Sequence, residues 1–120
     1  MNYEEVKNLI QDYKDFPKKG IVFKDMLPIM QNPDLFEKVI DEMSGHRIFN
    51  NTDAIICIDA RGFIFGTAIA LKNKKPLIFA RKPGKLPGEL LEGSYELEYG
   101  SNSLSLQKNA LEKYEKFVIV

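Results

Sequence analysis

Residues 54–62 read AIICIDARG, an apolar run that ends in a short polar turn. Because every position of Ala54–Ile58 is apolar, the run is typical of a strand that is covered on both faces. After the turn, the sequence predicts a helix from about Phe63 to Lys72, and Leu77–Ala80 is a second apolar run. Strand, helix and strand in this order predict a βαβ unit with two parallel strands.

The segments on either side extend this sheet and cover it. Phe117–Val120 is a third apolar run, and apolar residues at helical spacing predict helices over residues 3–13 and 33–43. Gly66, Ala68 and Ala70 would let the central helix lie close to the strands. The predicted fold is therefore α/β, a parallel sheet flanked by helices.

Between the second and third apolar runs, the hydrophobic period changes to two. Tyr95, Leu97 and Tyr99 alternate with glutamates, residues 100–102 read as a turn, and residues 103–107 alternate back. This pattern predicts a half-exposed antiparallel hairpin, which we interpret as a flap beside the parallel sheet.

Composition limits the partners and cofactors. Seventeen cationic side chains balance seventeen anionic ones, so no global charge favours nucleic acid. The one cysteine, Cys57, lies inside an apolar run, which predicts a buried thiol and excludes a disulfide framework. No apolar stretch approaches the roughly 20 residues that span a bilayer. We expect one domain over residues 1–120, in the cytoplasm and without a membrane partner.

The last apolar run stops at Val120 with no polar residue after it. A parallel sheet whose last strand lacks its return helix leaves apolar surface uncovered. We therefore expect that the C-terminal part of the fold is missing.

Two polar segments follow the first two predicted strands. They are residues 59–62 and the segment Arg81–Gly88, here called the cationic loop. Ligands bind at the carboxyl ends of strands in such sheets, so Arg61, Arg81 and Lys85 would converge if the strands are neighbours. Guanidinium groups beside a helix N-terminus suit phosphate or pyrophosphate oxygens. The alternative is a solvated basic loop that pairs with nearby carboxylates.

Other candidate residues have structural alternatives too. Glu96 and Glu98 can be the solvent-facing side of a strand, or part of a flap that closes over a site. Phe23 can be ordinary core, or a ring on which a planar ligand stacks. His46 lies in a polar connection and receives no functional assignment.

Four segments in order resemble one family. They are GIVFKD (20–25), DARGFIFG (59–66), RKPGKLPG (81–88) and SYELEYG (94–100), within a match that extends from about Asp12 to Val120. In identity, order and spacing, these segments resemble adenine phosphoribosyltransferases. The resemblance implies a type I phosphoribosyltransferase fold and transfer of the phosphoribosyl group from phosphoribosyl pyrophosphate to adenine, which gives AMP and pyrophosphate. It also implies Mg²⁺ carried on the substrate phosphates, no metal ligand from the protein, and a homodimer.

The resemblance assigns site residues as well. It implies that Val22 and Lys24 contact adenine through backbone groups, with Phe23 stacked on the ring; lysine stands at position 24 where arginine is more usual. Glu98 is implied as a catalytic residue together with Arg61, and Tyr99 as part of the flap. The implied pyrophosphate-binding residues are Asp59, Ala60, Arg61, Gly62, Arg81 and Lys85.

In the family, the strand that corresponds to Phe117–Val120 leads into an acidic pair and a loop that holds the 5-phosphate. This chain lacks that segment, so we expect little turnover from it alone. Two alternatives remain open at this point: a non-catalytic regulatory module that binds a purine or nucleotide, and a folded fragment that only self-associates.

Overall fold

The computed structural model describes residues 1–97 and 100–120. The chain divides into two compact units, residues 1–43 and residues 44–120. A single domain over the whole chain stays a prediction. Among the described residues, no helix combines the length and apolarity needed to cross a membrane.

The first unit contains a small antiparallel sheet and three helices. Its elements are α1 (Tyr3–Leu9), β1 (Gln11–Lys14), β2 (Val22–Asp25), α2 (Leu27–Met30) and most of α3 (Pro33–Ser44). β1 and β2 pair antiparallel.

The helix predicted over residues 3–13 is too long. The side chain of Asn2 caps α1 as expected, since it accepts a hydrogen bond from the N–H of Glu4. The helix ends at Leu9, however, and Tyr13 pairs with Phe23 across the β1–β2 sheet. α1 buries none of its residues. Because packing stabilises most helices in proteins, apolar spacing alone was not enough to extend the helix beyond Leu9.

The second predicted helix is confirmed as α3. The side-chain oxygen of Asn32 accepts a hydrogen bond of 3.1 Å from the N–H of Leu35, as an N-cap does. Leu35 and Ile40 are buried, whereas Met43, at the end of the predicted stripe, is exposed.

The second unit is built on a three-stranded parallel sheet. Its elements are a 3₁₀ turn (Arg47–Asn51), β3 (Ala54–Ile58), α4 (Arg61–Asn73), β4 (Leu77–Ala80), β5 (Leu90–Leu97), β6 (Gly100–Gln107), α5 (Lys108–Leu111) and β7 (Phe117–Ile119). The strand order is β4-β3-β7, and both pairs that include β3 are parallel. The predicted βαβ unit with neighbouring parallel strands is confirmed.

The central strand and α4 pack without space for another methyl group. Cys57 in β3 is fully buried, and this burial raises the pKa of its thiol to about 11. A Cβ atom added at Gly66 in α4 would lie 1.9 Å from the sulfur of Cys57. Gly66 therefore allows the close approach of helix and strand that the sequence predicts.

Gly66→Ala is expected to destabilise the fold by about 1–3 kcal/mol, because the new methyl group overlaps a buried sulfur in a packed core. Urea denaturation measures the change. Gly93→Ala is the matched control, since a Cβ at Gly93 meets no atom within 4 Å. The double variant Cys57→Ala/Gly66→Ala should recover part of the loss; strictly additive effects of the two substitutions would contradict this packing argument.

The predicted hairpin is present, with different limits. β5 and β6 pair antiparallel over eight residues each, and Leu97 lies opposite Gly100. Residues 100–102 therefore belong to β6, so the turn predicted there is wrong. An antiparallel bridge between Arg81 and Ser105 joins the hairpin to the end of β4.

Candidate functional site

Neighbouring strand ends bring an arginine and an aspartate together. Asp59 follows β3 and Arg81 follows β4, and these strands are adjacent and parallel. Arg81 Nε lies 3.5 Å from Asp59 Oδ2, and the Lys82 N–H donates to the same oxygen at 3.3 Å. The two polar segments predicted to meet therefore lie at one edge of the sheet.

Arg81 is held in place but keeps donors for a ligand. Its guanidinium carbon lies 5.7 Å from the ring centroid of Phe63, within cation–π range. Within residues 1–97 and 100–120, its buried Nε makes no hydrogen bond, because the contact with Asp59 is an ion pair at long distance. The Arg81 side chain is 36% exposed, so some of the five N–H donors of its guanidinium group can reach a ligand.

The carboxylate of Asp59 faces the Arg81 guanidinium group and the Lys82 backbone N–H. Its side chain is only 10% exposed, and its own N–H donates to Ala80 O at 2.9 Å. These contacts place Asp59 against Arg81 and the start of the cationic loop. Its role in pyrophosphate binding stays a prediction.

Residues 60–62 form the entry to α4. The peptide bond between Asp59 and Ala60 is cis, and Ala60 is the N-cap but provides no side-chain cap. Backbone N–H groups of the first turn of this 13-residue helix therefore lack a side-chain partner at the cap. Arg61 is exposed at that helix start. The Phe63 N–H donates to Ala60 O at 3.1 Å. The N–H groups of Arg61 and Gly62, which precede it without a side-chain cap, suit an anion beside the Arg61 guanidinium group.

Gly62 has a packing reason that the sequence did not reveal. A Cβ atom there would lie 2.3 Å from the carbonyl oxygen of Val120, which accepts a hydrogen bond from the Ile58 N–H. The family resemblance implies Gly62 as a pyrophosphate-binding residue, which stays a prediction. The structure shows that Gly62 allows backbone packing beside β3.

The cationic loop leaves the sheet edge after Arg81. Lys85 is exposed. Gly84 and Gly88 have φ values of +80° and +84°, which residues with a side chain rarely adopt. The structure thus brings Arg81 to Asp59 and Phe63, while Lys85 lies on the open part of the loop.

The first unit holds a separate, largely apolar cavity of about 530 Å³ beside Phe23. The Phe16 ring packs edge-on against Phe23, with centroids 5.2 Å apart and planes at 83°. Phe16 was not predicted as a site residue, because a phenylalanine before proline in a loop carries no periodic signal. The cavity is lined by Tyr13, Lys14, Asp15, Phe16, Phe23, Asp25 and Leu27.

Val22 and Lys24 lie on a strand with a free edge. The sheet of β1 and β2 has two strands, so one edge of β2 pairs with no other strand among the described residues. Lys24 Nζ contacts Asp12 Oδ1 at 2.7 Å, which engages its side chain. Backbone groups on such an edge are available to a ligand, as the predicted backbone contacts with adenine require.

The predicted flap residues Glu98 and Tyr99 lie outside the described residues. Glu96, which lies on β5, is exposed. Among the described residues, no group of three or more His, Cys, Asp or Glu side chains could hold a metal ion.

Comparison with known proteins decides the family. An adenine phosphoribosyltransferase from Prochlorococcus marinus (strain MIT 9211) is 64% identical over 115 residues, which are 96% of this chain and 67% of that protein. The chain belongs to the adenine phosphoribosyltransferase family. No protein-family model matches it.

Solved structures of the adenine phosphoribosyltransferase family share the fold. The Saccharomyces cerevisiae enzyme, complexed with an imino-altritol bisphosphate and adenine, is 42% identical with a TM-score of 0.79, over 90% of this chain and 64% of that one. The Giardia lamblia enzyme, complexed with 9-deazaadenine, is 30% identical with a TM-score of 0.91, over 99% and 66%. The chain thus spans about two thirds of the length of these relatives.

Proposed function

We propose that this chain carries the purine-binding and diphosphate-binding parts of an enzyme of purine salvage. The enzyme transfers the phosphoribosyl group of phosphoribosyl pyrophosphate to adenine and releases AMP and pyrophosphate. The observation that carries this proposal is the meeting of Arg81 with the Asp59–Gly62 segment at the ends of two adjacent parallel strands. Family membership supports it.

The reaction breaks a C–O bond and forms a C–N bond at the same ribose carbon. The electron pair of the broken bond leaves with pyrophosphate, and a ring nitrogen of adenine donates the pair for the new bond and loses its proton. Negative charge grows on the leaving group as the bond breaks. The Arg61 and Arg81 guanidinium groups and the uncapped N–H groups of α4 supply fixed positive charge for it, and Lys85 adds a further cation.

Adenine would bind in the cavity beside Phe23. Stacking on this ring provides affinity for a planar base, and the free edge of β2 provides hydrogen bonds from the backbone of Val22 and Lys24. The relatives crystallised with adenine and 9-deazaadenine support a purine as the acceptor.

Further parts of the proposal rest on the resemblance. Glu98 would act in catalysis and Tyr99 would lie on the flap, which would exclude water from the reacting sugar. Mg²⁺ would arrive bound to the substrate phosphates. We also propose that the enzyme is a homodimer and works in the cytoplasm.

The direct test is calorimetric titration of the chain with inorganic pyrophosphate and, separately, with adenine. Binding of both is expected, with sulfate and hypoxanthine bound more weakly. A chain that binds sulfate as tightly as pyrophosphate would contradict the diphosphate site. No preference for adenine would contradict the assignment of the base.

A further inference from the structure

The first end of the cationic loop is tied to β6 by two backbone hydrogen bonds. The Arg81 N–H donates to Ser105 O at 2.9 Å, and the Ser105 N–H donates to Arg81 O at 2.7 Å. Ser105 is 1% exposed, and its hydroxyl donates to Glu92 Oε1 at 3.2 Å. The position of the Arg81 backbone is therefore set by a buried residue of the hairpin.

The second end of the loop is tied to the same stretch of chain. The Lys108 N–H donates to Glu89 O at 3.0 Å, and Lys108 Nζ lies 3.5 Å from Glu89 Oε1. The side-chain amide of Gln107 donates to Pro87 O at 3.4 Å. Both ends of the cationic loop are thus attached to residues 105–108.

We propose that Lys108 is a positioning residue for the diphosphate site. Its backbone N–H makes the outermost hydrogen bond of the β5–β6 pairing, next to the Leu90–Gln107 pair. It therefore sets how close to Arg81 and Lys85 the second end of the cationic loop is fixed. This inference rests on the proposed function, in which the loop binds pyrophosphate.

The loop needs this attachment because its own sequence does not provide one. Gly84 and Gly88 have positive φ values and carry no side chain that could pack. Lys85 is exposed, so packing does not fix its side chain. Without this bond, the fixed pairing of the hairpin would begin at Leu91 and Leu106, and the mobile span would be longer. A longer mobile loop loses more conformational entropy when it binds an anion, and affinity would fall accordingly.

The test compares Lys108→Pro with Lys108→Ala. Both substitutions remove the same charge and the same ion pair, but only proline also removes the N–H that donates to Glu89. Lys108 is the first residue of α5, a position where proline is tolerated because that N–H makes no bond inside the helix. Gln107 has φ −71° and ψ 122°, a conformation that suits the residue before proline.

We expect amide hydrogen exchange at the loop end, at Leu91 and Leu106 in the adjoining strand pair, to be faster in Lys108→Pro than in Lys108→Ala, because only proline removes the outermost bond of that ladder. Pyrophosphate affinity, measured by calorimetry, should be about two- to tenfold lower in the proline variant, the range for one hydrogen bond. Exchange of the β3 amides in the same experiment should be unchanged, which separates this effect from general unfolding. Identical loop exchange and identical affinity in the two variants would overturn the proposal.

Failure of the proposed function would look different. If the unmodified chain did not bind pyrophosphate, the diphosphate assignment would fail, and loop exchange alone would decide whether Lys108 holds the loop. If Lys108→Pro did not fold, an ester in place of the amide bond between Gln107 and Lys108 would replace it, because the ester removes the same N–H and keeps the lysine side chain. The ester should speed exchange at the loop end as proline does. Unaltered exchange in the ester variant would overturn the proposal.

Discussion

Replacing Arg81 by alanine is expected to lower the affinity for pyrophosphate about ten- to a hundredfold. Charge-assisted hydrogen bonds contribute about 1.5–3 kcal/mol each, and the guanidinium group offers several donors to the diphosphate oxygens. The ring of Phe63 and the carboxylate of Asp59 hold this group at the sheet edge before the ligand arrives. Calorimetric titration with inorganic pyrophosphate measures the loss.

Lys82→Ala is the matched control, because it removes the same charge from the adjacent residue. The Lys82 contact with Asp59 comes from its backbone N–H, which the substitution retains. Arg81→Lys keeps the charge but loses the planar fork, so it should restore only part of the affinity. Arg61→Ala should also weaken binding by about tenfold or more, because it removes a second guanidinium group.

An equal loss in Lys82→Ala and Arg81→Ala would mean that the loop attracts anions only through its overall charge. Increasing salt would then weaken both variants and the unmodified chain to the same extent. Unchanged binding in Arg61→Ala would refute the role assigned to that residue, while leaving the Arg81 prediction to be judged separately.

The parallel sheet was predictable because its strands are buried on both faces. β3 has no polar residue, and β4 follows a helix of the right length, so the βαβ rule places the two strands side by side. Because the two strands are adjacent, Arg81 was predictable as a neighbour of the segment after β3. The side chains that contact Arg81 were not predictable. Phe63 was predicted only as the first residue of a helix, and the contact of its ring with Arg81 depends on side-chain packing.

The limits of the hairpins were harder to predict because the register of the two strands depends on contacts between them. Tyr13 has the helical spacing of the α1 segment, yet it pairs with Phe23 in a sheet. Gly100 has φ +144°, and glycine is a common turn residue. Gly100 nevertheless lies in β6, opposite Leu97 of β5. Local propensity could not reveal either register, because cross-strand contacts override it.

Phe23→Ala is expected to weaken adenine binding by about five- to a hundredfold. Stacking of a base on an aromatic ring is worth about 1–3 kcal/mol by alanine substitution. Phe23 lines the cavity of the first unit. The ring of Phe16 packs edge-on against the Phe23 ring, and this contact favours one orientation of the Phe23 ring. Titration with adenine measures the effect, and thermal denaturation reports whether the cavity has collapsed.

Two further variants separate stacking from simple burial. Phe23→Tyr keeps the ring and should retain most of the adenine affinity, whereas Phe23→Leu keeps apolar volume without a π-face and should lose most of it. Pyrophosphate binding should be unchanged in all three variants, because the cations that would grip it belong to the second unit. If Phe23→Leu bound adenine as well as the unmodified chain, the ring would be ordinary core, and the free edge of β2 would have to provide the affinity for the base.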